Sequence, residues 1–206
     1  PPRSTLFPYT TLFRSGSCVQ RAGVMLEALA RAKEARLPVM DHCEDASLAA
    51  GGAMNAGALA RELGVSSQPA LAEEIMVARD ILLARQAGWP VHVQHLSAAG
   101  SVALLRAARE RGIPVTAEAS PHHICLTEDW CKSHGANAKM NPPLRREADR
   151  QAVLDGLRDG SITCIATDHA PHTADEKAVG LEKAPCGIVG LEAAVPLCLE
   201  ALVHGG

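Results

Sequence analysis

The chain is short of aromatic residues: of 206 positions only two are Phe, one is Tyr and two are Trp. Three of the five, Phe7, Tyr9 and Phe13, fall in the first fifteen residues, and only Trp89 and Trp130 follow. Downstream, the apolar surface is built from Ala, Leu, Val and Ile. The opening stretch also repeats a triplet, Thr5-Leu6-Phe7 and Thr11-Leu12-Phe13. That break in composition marks residues 1–15 as a non-native segment, of the kind a translated sequencing adapter leaves, and fold reasoning starts at residue 16.

Paired cysteines are lacking as well. Cys18, Cys43, Cys125, Cys131, Cys164, Cys186 and Cys198 are odd in number and scattered, with no CxxC among them. This excludes a disulfide framework and a thiolate zinc site, and points to reduced thiols in a cytoplasmic protein. No one sign of charge dominates: the formal charge is −3 and the pI about 6.3, which removes the electrostatic case for nucleic acid or an anionic membrane. No apolar run is long enough to span a bilayer, and no cleavable signal pattern opens the chain. No GxGxxG phosphate loop follows any strand-like run, which argues against a doubly wound dinucleotide fold.

What is present is an alternation of helix-like and strand-like segments. Amphipathic periodicity predicts helices over 19–36, from Pro69 to Ala87, over 101–111 and 147–157, and one starting near Leu191. Between them lie the strand-like runs Leu37–His42, Val91–Leu96, Ile113–Ala119 and Ile162–Thr167, with a Gly- and Ala-rich excursion over 51–64 and a loop from 121 to 143. Helices that alternate with strands predict parallel βαβ units, here four of them, about half of an eight-stranded barrel.

Three strand-like runs end in groups that bind metals. His42 closes the first, His95 lies in the second, and Asp168 with His169 and His172 follows the last. In a parallel barrel the C-terminal strand ends converge on one mouth, so such residues meet. Two imidazoles and a carboxylate suit zinc, which takes N and O ligands at about 2.0–2.2 Å.

Six motifs then stand in a telling order: Asp41-His42-Cys43-Glu44-Asp45, His92-Val93-Gln94-His95-Leu96-Ser97, Pro121-His122-His123, Asn141-Pro142-Pro143-Leu144-Arg145, Ala166-Thr167-Asp168-His169-Ala170-Pro171-His172 and Ala184-Pro185-Cys186-Gly187-Ile188-Val189-Gly190-Leu191-Glu192. This order resembles that of bacterial dihydroorotases, zinc enzymes of the amidohydrolase superfamily, across essentially all of residues 16–206. The resemblance implies an α/β fold, a partial TIM (β/α)8 barrel of roughly strands five to eight with their helices. It implies that His42 and His95 are ligands of one zinc, and that Asp168 is a ligand of the other and the catalytic proton shuttle. Asn141, His172 and the backbone around Cys186 and Gly187 become the substrate cradle. The implied activity is the reversible closure of N-carbamoyl-L-aspartate to L-dihydroorotate in pyrimidine biosynthesis, for which a Lewis acid makes the carboxyl carbon electrophilic. The implied partners are that small-molecule substrate and, for the parent, a homodimer mate or aspartate transcarbamoylase.

Departures from the pattern are expected to matter. The superfamily's first-strand His-x-His pair and its substrate arginine have no counterpart in the chain, and the bridging acid would fall where Arg14 and Ser15 stand. The expectation is an interior piece of a dihydroorotase that is inactive alone. Two rivals remain: a hydantoinase- or allantoinase-type cyclic amidase, and a non-catalytic dihydroorotase-like scaffold of aspartate transcarbamoylase. The trio His42, His95 and Asp168 argues against the scaffold. Among the other candidates, His92 is read as a core or orienting residue and His122 and His123 as structural or loop residues. His134 and His204 are read as solvated, Cys43 as a buried thiol, and Arg145-Arg146 as a solvated helix entry.

Overall fold

The computed structural model of the chain describes residues 18–204, so the segment 1–15 lies outside the described residues. The first helix, α1 (Ala22–Ala35), buries Met25 and Leu29, one turn apart, and ends on Arg36 in the left-handed conformation. After β1 (Val39–Asp41) the chain makes a side excursion through α2 (Ala46–Ala49), β2 (Met54–Asn55), α3 (Ala58–Leu63) and β3 (Ser67–Gln68). There β2 and β3 pair in parallel as a separate ribbon. Two-residue strands carry too few side chains to show a period of two, so the sequence pattern missed them.

The chain continues with α4 (Leu71–Ala87), β4 (Val91–Val93), α5 (Ala99–Glu110) and β5 (Val115–Ala119). Next come α6 (Pro121–Cys125), α7 (Asp129–His134), a short 3-10 turn, α8 (Glu147–Arg158) and β6 (Cys164–Ile165), then α9 (Ala174–Lys177) and α10 (Ala194–Leu199). The main sheet has the order β1-β4-β5-β6, every neighbour parallel. The expected α/β architecture with a parallel sheet is therefore present.

One face of the sheet carries the core. Val77 and Ile81 of α4, Val102 and Leu105 of α5, and Val153 and Leu154 of α8 are buried in one cluster with Val93, Ala117 and Ala119 of the strands. These helices lie side by side, α4 against α5 and α5 against α8. Alternation along the strands sends the other set of side chains, Met40, His92, Thr116 and Cys164, to the opposite and more open face.

Several boundaries differ from those the sequence suggested. The strands are shorter than the apolar runs: β1 and β6 are trimmed at both ends, β4 at its C-terminal end and β5 at its N-terminal end. The stretch after Ala119, expected as loop, is helical in α6 and α7, with Pro121 in the first turn of α6 where its missing N–H is harmless. Glu73 lies in the first turn of α4, and its buried carboxylate also accepts the N–H groups of Ser97 and Ala98 at 3.0–3.2 Å, while Asp149 accepts that of Ala99 at 2.9 Å. The start of α5, which has no side-chain cap of its own, is thus capped by two neighbouring helices.

Among the described residues no helix is long and apolar enough to cross a membrane, and all seven cysteines are unpaired. Leu105→Ala, at a position 2 % exposed, should destabilise the fold by about 2–5 kcal/mol in denaturant unfolding. Leu82→Ala, on the outer face of α4 and 52 % exposed, should stay within about 0.5 kcal/mol of the parent.

Candidate metal centre

His42 stands one residue beyond β1 and His95 two beyond β4, on neighbouring parallel strands. Their side chains meet: His42 Nδ1 lies 2.9 Å from His95 Nε2, with the rings edge to face. Both are buried. On the far side of His42, Nε2 faces the Glu44 carboxylate at 3.6 Å and the Asn141 amide at 3.4 Å. With Nε2 turned to those two side chains, Nδ1 is the ring nitrogen directed at His95. Burial pushes the Glu44 carboxyl up, but His42 and Asn141 beside it outweigh burial and hold it below its ordinary value.

His95 is held well below the usual histidine range, first by burial and then by repulsion from His42 and His123. It is therefore neutral, the form in which imidazole ligates metals. Its Nδ1 is buried without a hydrogen-bond partner. Its backbone is unusual as well: His95 has φ 33° and Asp168 φ 45°, both in the left-handed region. Non-glycine residues held there cost of the order of 1–3 kcal/mol and persist where their surroundings over-determine them.

Those surroundings are visible around Asp168. The Ala170 N–H donates to the Ile188 carbonyl at 3.1 Å, and His169 Nδ1 accepts the N–H groups of Gly190 and Leu191, each at 3.1 Å. The loop that carries the carboxylate is thereby tied to the segment 187–191. Burial pushes the Asp168 carboxyl up, His42 draws it back, and Glu118 pushes it up again, leaving it above the ordinary value.

His42, His95, Asn141, Asp168, Cys186 and Gly187 line one cavity of about 270 Å³, with Met140 and Ala170 completing its wall. Asn141 is fixed by the Gln68 side chain, which donates to its Oδ1 at 2.9 Å. Gly187, at φ 149°, donates its N–H to the Lys139 carbonyl at 2.9 Å, and a Cβ there would fall 2.3 Å from the Ala170 oxygen. Only glycine lets the two loops approach so closely. His172 does not line the cavity. It stands behind the wall, with Nε2 donating to the Cys186 carbonyl at 3.0 Å and Nδ1 3.6 Å from Glu176.

The donor chemistry fits zinc: two imidazole nitrogens converge, a carboxylate shares their cavity, and the second nitrogen of His95 is buried without a partner. Two other groups of donors come within 4.8 Å of one another among the described residues, His92 with Glu118 and Cys164, and Asp41 with Cys43 and Asp80. The second already has a cation, because the Arg79 guanidinium bonds Asp80 at 2.7 Å and Asp41 at 3.0 Å.

Comparison with known proteins decides the family. The model of the family described as "Dihydro-orotase-like" matches residues 8–101. Over 191 residues, 93% of this chain and 45% of the relative, the chain is 50% identical to a dihydroorotase of Staphylococcus aureus. It is 51% identical, over the same shares, to the dihydroorotase of Pelotomaculum thermopropionicum. The chain belongs to the dihydroorotase family. It spans about half the length of the curated relatives it matches. Among solved structures it is similar to a D-hydantoinase (dihydropyrimidinase) from Thermus sp., with TM-score 0.76 and 27% identity over 89% of this chain and 42% of that one. The α/β fold with its parallel sheet is therefore similar to the matching part of the hydantoinase and amidohydrolase barrel.

Of the two readings left open for His122 and His123, structural or loop, the structure supports the first, and the reading of Arg145 in this dihydroorotase-family site needs correction. His122 and His123 are buried in α6, where both face the Ser120 hydroxyl at 2.7 Å, and His123 Nε2 donates to the Pro142 carbonyl at 3.0 Å. Burial holds His123 down to about 4, and His122 Nε2 reaches to 3.8 Å from the Asp168 carboxylate. Arg145 is not solvated. Arg146 is, but Arg145 points inward, 3 % exposed, and bonds the Ser97 hydroxyl at 3.1 Å and the Asn55 side chain at 2.9 Å. Glu73, which also holds Ser97, supplies the opposing charge.

Glu44, Gln68, Glu118 and Arg145 are the polar residues around the site that sequence reasoning left without a role. Glu44 and Arg145 lay inside the motifs named above, and Glu118 is the one charged residue of its strand, so each left a signal. Gln68 left none. Arg145→Met should cost about 1–3 kcal/mol of stability by leaving the buried Ser97 and Asn55 side chains short of a hydrogen-bond partner. Thermal unfolding against Arg146→Met, which should change little, checks it.

Proposed function

We propose that this chain supplies roughly the fifth to eighth strands, with their helices, of a dihydroorotase barrel, and that the protein carrying it is a zinc-dependent cyclic amide hydrolase. The observation that supports this most is the convergence of His42 Nδ1 and His95 Nε2 at 2.9 Å on a cavity that Asp168, Asn141 and Gly187 also line. In this reading His42 and His95 hold one zinc ion and Asp168 helps to hold a second. Bound zinc supplies Lewis acidity at the carbonyl carbon of the substrate.

The chain's own residues do the rest. As a water oxygen adds to the ring carbonyl carbon, the Asp168 carboxylate accepts a proton from that water and delivers it to the ring nitrogen when the C–N bond of dihydroorotate breaks; closure of N-carbamoyl-L-aspartate runs the same transfer backwards and releases the water. The Asn141 side chain, oriented by Gln68, and the backbone beside Cys186 and Gly187 bind the polar edge of the substrate. His172 keeps that backbone in place through the Cys186 carbonyl. The seven unpaired cysteines support a reducing, cytoplasmic setting. A hydantoinase-type activity is the second reading, favoured by the likeness to the Thermus structure, but identity to that chain is 27% against 50% for the Staphylococcus aureus dihydroorotase.

The test is a chimaera in which residues 16–206 replace the matching part of the Staphylococcus aureus dihydroorotase. It should hydrolyse dihydroorotate in preference to hydantoin and allantoin, lose activity to a chelator and regain it with zinc. Asp168→Asn in that background should lower kcat by about 10²–10⁴-fold. A chimaera that prefers hydantoin would replace the proposed substrate. An Asp168→Asn variant with full turnover would remove the proton carrier.

A further inference from the structure

Between the sheet and the cavity lies a set of hydrogen bonds that the proposed chemistry does not use. Glu118 sits on β5, one strand over from His95, and is 7 % exposed. Its Oε1 accepts the backbone N–H of His95 at 3.4 Å, and its Oε2 accepts from His92 Nε2 at 3.0 Å. His92 is anchored in turn, with Nδ1 2.8 Å from the Thr116 hydroxyl on β5. Thr116 lies opposite His92 in the strand register, so the three side chains share the more open face of the sheet.

His95 needs such support because of its backbone. At φ 33° it occupies a conformation that costs free energy unless its neighbours enforce it. The adjacent peptides are held from both sides: the Gln94 N–H donates to the Asp41 carbonyl at 3.0 Å and the Leu96 N–H to the Glu118 carbonyl at 2.9 Å. Those two bonds fix the chain before and after the turn. The N–H of His95 itself has the Glu118 side chain, so a side-chain carboxylate completes what two main-chain carbonyls begin.

We infer that Glu118, braced by His92 and Thr116, is a positioning residue that holds the left-handed turn at His95 and so aims its Nε2 at His42. Glu118 is not among the residues that line the cavity. It acts through the backbone, and its effect should therefore be read in metal affinity and site geometry. This inference rests on the reading of His42 and His95 as metal ligands.

The experiment titrates the purified chain with Zn²⁺ and, for its visible spectrum, with Co²⁺. It is run on a Cys164→Ser background so that the nearby thiol contributes no ligand. His42→Ala serves as the variant without the site. Glu118→Ala should weaken binding by roughly 10–100-fold and change the Co²⁺ spectrum, with the circular dichroism unchanged. Glu118→Gln should restore affinity to near the parent's, because its amide oxygen accepts from His95 while its NH₂ donates to His92. Should Glu118→Ala not fold, His92→Ala, which leaves the carboxylate in place but unbraced, should show a smaller loss in the same direction.

Parental affinity in a folded Glu118→Ala variant overturns the inference, as does a Gln variant no better than the Ala one. Hydrogen exchange at the His95 amide separates this inference from the metal reading. If the unaltered chain binds no metal, the ligand assignment falls, and exchange alone then judges the turn: faster exchange in Glu118→Ala sustains the positioning role, unchanged exchange ends it.

Discussion

Val39, Val91 and Val115 stand side by side across β1, β4 and β5, and Asp41, Val93 and Ala117 do so two residues later. This level parallel register is the constraint on which the rest depends. Strands that begin at one height end at one height, so the residues that leave the ladder next, His42 after β1 and His95 after β4, emerge together over one rim. Parallel strands also require long crossovers, and those place α4, α5 and α8 on a single face, where Val77, Val102 and Val153 close the core. A shift of one residue in any strand would exchange the two faces. It would send His92 toward the helices and Val93 toward the opposite face, and the imidazole pair would be lost with them.

A buried polar network supports the rim from the side. Glu73 reaches from α4 to the start of α5, and Arg145 reaches from the loop before α8 to Ser97 and to Asn55 on β2. Burying charged groups is unfavourable unless each is hydrogen-bonded, and here Glu73 and Arg145 both are. The return is specificity of arrangement: the β2–β3 ribbon, the Asn141 loop and the start of α5 have one satisfied way to fit together. Gln68, at the end of β3, passes that fixed geometry on to Asn141 at the cavity wall.

The strands and the three strand-end donors were legible in the sequence because they rest on local signals. Apolar, β-branched runs read as strands, although β6 is exposed at both its residues, and His42, His95 and Asp168 stood where those runs gave out. What was not legible depends on partners far along the chain. Arg145 and Arg146 are neighbours of one chemical type, and only the fold shows that one meets Asn55, ninety positions earlier, while the other faces solvent. The helical stretch over 121–134 is broken into pieces too short for a 3.6-residue period to show. Glu73 is a first-turn acid of α4, and nothing local shows that Ser97 and Ala98 also lie beside it. His172 carries a site motif, yet its ring serves the loop behind the wall, a distinction of direction that spacing cannot make.

The left-handed backbone at His95 and Asp168 also limits how such a site can change. Among residues with side chains, Asn, Asp and His are the ones most often found in that conformation. At both positions the side chain suited to holding zinc is thus one that the backbone tolerates. Replacing His95 by Cys or Glu to favour another metal would work against the turn itself, whatever the merit of the new donor. The usable alphabet at these two positions is short for conformational reasons before coordination chemistry is considered, and ligand exchange there calls for a remodelled loop.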